Sequence, residues 1–93
     1  YRVLISRPLA EGLSRRYAGY PLRELIVALR ERLSREARHG KQAPFPFMAG
    51  TLTQSFDVPT ASGTFQVTRL YWIDEGDAVV EVADVGILPV RGD

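Results

Sequence analysis

Residues 21–40 read PLRELIVALRERLSREARHG, and this stretch decides the fold more than any other part of the chain. Aliphatic residues recur in it at intervals of three and four, the spacing of one face of an α-helix; they are Leu22, Leu25, Ile26, Leu29 and Leu33. Pro21 suits the start of a helix, and Gly40 suits a left-handed residue just past its end. The stretch therefore predicts an amphipathic helix with an apolar face and a wet, arginine-rich face.

The residues before this helix predict a strand and a shorter helix. Residues 1–6 alternate, with Tyr1, Val3 and Ile5 on one side, which is typical of a strand. Ser6 can then cap a helix that has Pro8 in its first turn. An apolar stripe follows at helical spacing, formed by Leu9, Leu13, Tyr17 and Tyr20.

Two prolines interrupt the pattern after the long helix, so residues 42–50 are predicted to form a connector. This connector also contains large apolar side chains, namely Phe45, Phe47 and Met48. They either cover one end of the core or form an exposed anchor for a partner.

Three strands are predicted in the remaining residues. Residues 51–58 and 64–73 alternate, with a turn at 59–63 between them, and an acidic turn at 74–77 leads into a valine-rich strand at 78–88. In the middle strand, Arg69 interrupts an otherwise apolar face. The prediction for residues 1–93 is a single α+β domain of order β-α-α-β-β-β, an antiparallel sheet with two helices packed on one face.

Charge divides the chain into a basic and an acidic half. Residues 1–41 contain ten Lys/Arg and four acids, a charge of +6, whereas residues 42–93 contain two Arg and seven acids, a charge of −5. This asymmetry suggests a polyanion or acidic partner, or else two halves that complement each other within one fold.

Composition excludes several classes of function. The absence of cysteine excludes disulfides, thiolate metal sites and cysteine nucleophiles. No apolar run is long enough to cross a membrane or to form a secretory signal, so we expect a cytoplasmic protein that does not contact membranes.

The residues suggest little enzyme chemistry. His39 is the only histidine, and it has neither a cysteine nor a second histidine to complete a zinc site, so we interpret it as a solvated residue at a helix end. Asp74, Glu75 and Asp77 form an acidic turn that lacks the further ligands of a calcium loop. We therefore expect no metal and no cofactor.

Arginines on the wet side of the long helix are the best candidates for binding. On a helical wheel, Arg23, Arg30 and Arg38 fall close together, because each residue turns the helix by about 100°. The candidate nucleic-acid or polyanion site comprises Arg15, Arg16, Arg23, Arg30, Arg38 and Lys41. Guanidinium groups pair well with phosphates, but Glu31 can pair with Arg35 and Glu36 with Arg32, so the row is alternatively an ordinary solvated face.

The segment RLYWIDEGDAVVEVADVG, residues 69–86, resembles the last hairpin of the RelE/ParE superfamily of toxins from toxin-antitoxin systems. In that family a Tyr is followed by an Ile-Asp turn, a valine-rich strand and a Val-Gly pair. The resemblance extends in outline to the initial strand and the two helices. It implies an antitoxin-like protein partner, and RNA, the ribosome or a protein as target.

The chain departs from the family pattern where ribonuclease members have their catalytic groups. Those members follow the Val-Gly pair with His-Arg and a later Tyr, whereas here Gly86 precedes an Ile-Leu-Pro segment, and Thr68 replaces a common Arg. The remnants of the family site are Arg69, Tyr71 and Arg91. We therefore expect binding without mRNA cleavage. The alternative is a noncatalytic protein interaction domain that dimerises or docks through its opposed charges.

Overall fold

The structure is a computed structural model, and it describes residues 1–44 and 50–90. In chain order the elements are β1 (Arg2–Leu4), α1 (Arg7–Arg16), α2 (Leu22–Glu36), a short 3₁₀ turn (Ala37–His39), β2 (Lys41–Gln42), β3 (Leu52–Thr60), β4 (Gly63–Asp74) and β5 (Val79–Val90). The predictions for Phe45, Phe47, Met48 and Arg91 fall outside the described residues.

The strands form one sheet in the order β1-β5-β4-β3-β2. The predicted α+β class, with two helices on one face of the sheet, is confirmed. The sheet is mixed, however, because β1 runs parallel to β5, with Val3 beside Val80, while the other neighbours are antiparallel. The prediction of an antiparallel sheet was wrong here, since the alternation within a strand carries no information about the direction of its neighbour.

The core lies between the helices and the inner face of the sheet. Leu25, Leu29 and Leu33 of α2 have no exposed surface, which confirms the stripe predicted from their spacing. They face alternate residues of β4, among which Val67 and Tyr71 are also fully buried. Burial of each large aliphatic side chain contributes about 1.5–3 kcal/mol, so this layer is the main source of stability.

The start of α1 agrees with the prediction from the sequence, whereas the conformation of Gly40 after the long helix does not. Ser6 caps α1 as predicted, its hydroxyl accepting a hydrogen bond from the Leu9 amide at 3.2 Å. Gly40 is not left-handed, because its φ is −68° and its ψ is 156°. A Cβ at this position would overlap the Tyr71 hydroxyl, so the glycine provides room rather than a positive φ.

The hairpin between β3 and β4 is tighter than predicted. Pro59 and Thr60 belong to β3, and the turn comprises only Ala61 and Ser62, because Thr60 pairs directly with Gly63. Gly63 has a φ of 117°, which suits the absence of a side chain. The predicted turn at 59–63 was therefore too wide. Its proline is tolerated in β3, which is bordered by β2 only at Leu52 and Thr53.

No helix within residues 1–44 and 50–90 is long and apolar enough to cross a membrane. The cytoplasmic location stays a prediction.

Candidate binding sites

A groove of about 340 Å³ lies between α1 and α2. Its lining is mostly aliphatic and includes Ile5, Leu13, Leu22, Ile26 and Val27. Val27 is 59% exposed, although its neighbours in α2 on the core side are buried. An exposed valine beside an open apolar groove can pack against an apolar side chain of another molecule.

Two arginines border this groove on α2. Arg23, Val27 and Arg30 are spaced by four and three residues, so they lie on one face of the helix, and both arginines line the groove. Arg30 also donates a hydrogen bond from Nη1 to the Val3 carbonyl at 2.8 Å, which joins α2 to β1. The groove therefore combines an apolar floor with two cations.

Arg38 does not continue this surface, because it contacts the acidic turn. Its Nη2 lies 2.7 Å from a carboxylate oxygen of Glu75, and its Nε donates to the Tyr1 hydroxyl. The Arg38 guanidinium also lies 5.8 Å from the centre of the Tyr1 ring. The arginines predicted to form one row along the long helix therefore have two environments. Arg23 and Arg30 border the open groove, whereas Arg38 forms an intramolecular ion pair.

The other predicted cations lie elsewhere. Arg15 and Arg16 are exposed at the end of α1, where Arg16 lies 3.8 Å from Asp84. Lys41 is exposed in β2, at one edge of the sheet. The structure thus brings Arg23 and Arg30 together but places Arg15, Arg16, Arg38 and Lys41 at other points of the surface. The predicted pairs of Arg35 with Glu31 and of Arg32 with Glu36 are both confirmed.

Two residues interpreted as family remnants, Arg69 and Tyr71, lie on the inner face of β4 and have no exposed surface. The Tyr71 hydroxyl donates a hydrogen bond to the Ala37 carbonyl at 2.6 Å, and burial raises the pKa of Tyr71. Neither side chain reaches solvent. Their position in the alternation of β4 determines this, because residues 65, 67, 69 and 71 all face the helices.

The Arg69 guanidinium is enclosed by polar and aromatic groups. Its Nη2 donates to the side-chain oxygen of Gln54, and its Cζ lies 4.2 Å from the centre of the Phe56 ring. Arg32 approaches the same ring at 4.7 Å. Burial lowers the pKa of Arg69 to about 10, so this side chain is still a cation at neutral pH.

The acidic turn is stabilised by its own backbone. Asp74 accepts hydrogen bonds from the amides of Gly76 and Asp77 at 3.1 and 3.3 Å, and Glu75 pairs with Arg38. In the described part of the chain no three His, Asp or Glu side chains are arranged to hold a metal ion. His39 is exposed in the 3₁₀ turn after α2.

Sequence reasoning missed the roles of Val27 and Gln54. Val27 lies off the predicted apolar stripe, and an aliphatic residue on the wet face was the available signal for the groove. Gln54 interrupts the apolar set Leu52, Phe56 and Val58, which was the available signal, but its contact with Arg69 depends on the register that pairs β3 with β4.

No known family model, curated protein or solved structure matches this chain.

Proposed function

We propose that this protein is a RelE/ParE-like, toxin-type binding protein that acts without catalysis. Its α1/α2 groove, defined by Ile5, Leu13, Ile26 and Val27 with Arg23 and Arg30 at the border, binds an acidic amphipathic segment of a protein partner. The proposal rests on one observation: two arginines and an exposed valine share one face of α2 beside an apolar groove.

Chemistry favours a protein segment over a nucleic acid as the occupant. An amphipathic helix places apolar side chains at intervals of three and four, which suits the aliphatic floor, and its acidic residues can pair with Arg23 and Arg30. A phosphate backbone is polar and charged, so it gains nothing from contact with the aliphatic floor. The implied partner class is an antitoxin-like protein or a protein target.

The positions of Arg69 and Tyr71 support the noncatalytic part of the proposal. A group that stabilises charge on a cleaved phosphate must approach that phosphate within hydrogen-bonding distance. Both side chains have no exposed surface, so the backbone of an mRNA strand, unlike a small anion that can enter a cavity, cannot come within that distance. We therefore expect no mRNA cleavage by the purified protein, measured by the integrity of a defined transcript.

Two substitutions on α2 test the groove: one removes an apolar contact and the other removes an ionic contact. Val27→Ser is expected to weaken binding to the antitoxin-like partner, taken as the product of the gene adjacent to this one, at least about tenfold, since burial of one aliphatic side chain contributes about 1.5–3 kcal/mol. Isothermal titration calorimetry measures the affinity. Arg23→Ala is expected to weaken binding as well, and it is cleaner than a change at Arg30, which also holds β1.

Leu88→Ser is the matched control, because Leu88 is 64% exposed in β5 and does not line the groove. It should bind like the wild type. Absence of a complex with the neighbouring product, or equal affinities for Val27→Ser and wild type, would refute the groove as the binding site.

A second candidate function is binding of RNA or the ribosome. It is favoured by exposed cations that form no ion pair within the described residues, among them Arg15, Arg23 and Lys41. This reading predicts an affinity for single-stranded RNA that falls steeply with salt and is insensitive to Val27→Ser. Insensitivity to salt, or no binding at low salt, would exclude it.

A further inference from the structure

The Arg69 side chain is a buried cation with incomplete hydrogen bonding. It has no exposed surface, and its Nη2 donates to Gln54. Its Nε and Nη1 have no hydrogen-bond partner among the described residues. Buried donors without partners destabilise a fold, and an oxyanion is the group that satisfies guanidinium donors best.

The surroundings of Arg69 carry more positive than negative charge. Arg32 and Arg69 both lie against the Phe56 ring, at 4.7 and 4.2 Å from its centre. The nearby carboxylate, Glu36, lies 3.3 Å from Arg32, so one acid serves two guanidinium groups. An additional anion would therefore meet a favourable potential.

Gln54 connects Arg69 to the surface. It lines a cavity of about 320 Å³ at the edge of the sheet, together with His39, Lys41, Thr53 and Ser55. This volume is at the lower end of the range of small-molecule sites, which begins at about 300 Å³. Lys41 and His39 supply further donors at its opening, and none of the described residues that line it is acidic.

We propose that Arg69, Gln54 and Lys41 form a binding site for an oxyanion, the phosphate or carboxylate group of a small ligand. The anion enters through the cavity lined by His39 and Lys41 and displaces the Gln54 amide from Arg69. It then takes Nη2 together with one of the two unpaired nitrogens, which is the bidentate geometry that arginine offers. This site is separate from the α1/α2 groove and does not depend on the function proposed there.

Inorganic phosphate and acetate are the probes, each compared with sodium chloride at equal ionic strength. Phosphate is expected to raise the melting temperature and to shift the NMR signal of the Arg69 Nε–H group. A larger effect of phosphate than of acetate assigns a phosphate-bearing ligand, and the reverse order assigns a carboxylate. Arg69→Met is expected to weaken binding at least about tenfold, since it removes charge-assisted hydrogen bonds.

Gln54→Glu provides a second variant if Arg69→Met does not fold. A carboxylate at position 54 neutralises Arg69 from within, so this variant should fold and lose the response to both anions. Arg7→Ala, which removes an exposed cation of α1 that lines neither the α1/α2 groove nor this cavity, should retain it. The proposal is overturned if neither anion differs from chloride, or if Gln54→Glu or Arg69→Met responds like the wild type.

Discussion

Arg69 shows how one residue can depart from the pattern that surrounds it. The alternation of β4 predicts that position 69 faces the core, and the structure confirms that it does. A cation in this position loses its hydration and regains only one hydrogen bond, to Gln54, within the described residues. The residue is therefore expected to lower stability rather than increase it.

Replacing Arg69 by methionine, which has a similar volume and no charge, should raise the free energy of unfolding. We expect a gain of about 1–3 kcal/mol at neutral pH, because an incompletely paired buried charge is exchanged for apolar packing. Urea unfolding followed by circular dichroism measures this gain. A loss of stability would show that the hydrogen bond to Gln54 outweighs the burial of charge.

The gain from Arg69→Met should shrink as the pH rises above about 10. Burial lowers the pKa of Arg69 below its usual range, to about 10, so above that pH the folded wild type loses a proton that the unfolded chain retains. The free energy of unfolding rises with pH wherever the unfolded state binds more protons. Above about pH 10 the stability of the wild type should therefore rise relative to that of Arg69→Met. Parallel unfolding curves of both proteins at pH 7 and about pH 11 test the sign; a constant difference would contradict it.

At the scale of elements, the end of α2 is fastened to β4 by one tyrosine. The Tyr71 hydroxyl donates to the Ala37 carbonyl at 2.6 Å, and the same carbonyl accepts the Gly40 amide at 3.4 Å. Gly40 lies against this hydroxyl, and a Cβ there would also come within 3.2 Å of the Thr53 carbonyl. The 3₁₀ turn after α2, β3 and β4 therefore meet at a point that has no room for a side chain.

Gly40→Ala should destabilise the protein by about 1–3 kcal/mol, the usual cost of overpacking. Tyr71→Phe should relieve part of this cost, because it removes the oxygen that the new methyl group meets first. Chemical unfolding of the two single variants and the double variant gives the coupling energy. Additive effects would show that the methyl group does not meet the Tyr71 hydroxyl.

The long edge of β5 is closed by side chains of the chain itself. β1 pairs with β5 only at residues 79–81. Farther along, the Ile87 amide donates to the Tyr17 hydroxyl at 3.1 Å and the Val85 amide to Asp84 at 2.8 Å. Residue 89, which has the same orientation in the strand, is a proline and has no amide hydrogen. The two hydrogen bonds from amides to side chains and the proline disfavour pairing of another strand along this edge.

Across the whole molecule, ion pairs join the basic and acidic halves of the chain, but these pairs are expected to contribute little to stability. Within the described residues, two ion pairs join the halves, Arg16 with Asp84 and Arg38 with Glu75, and all four side chains are about half exposed or more. Exposed pairs contribute little, because water and salt screen them. Burial of the core between the helices and the sheet is expected to contribute most of the stability instead.

Leu29→Ala and Arg38→Ala test this ranking. Leu29 is fully buried, so its truncation should cost about 2–5 kcal/mol. Arg38 is exposed, and its truncation should leave the unfolding transition nearly unchanged at physiological salt. Thermal and urea unfolding of both variants measure the difference; a loss at Arg38 equal to that at Leu29 would show that the contact between the halves supports the fold.

Local patterns by themselves determined the two helices, four of the five strands, the inward faces and most of the core, whereas the two-residue strand β2 was not predicted. Leu25, Leu29 and Leu33 are buried because helical spacing requires it, and Ser6 caps α1 because its hydroxyl accepts the Leu9 amide hydrogen bond. Only the tertiary structure decided that β1 runs parallel to β5, that Arg23 and Arg30 border a groove while Arg38 pairs with Glu75, and that Gln54 meets Arg69. Each of these joins residues distant in sequence, and such contacts depend on register and packing, which the spacing within one segment does not specify.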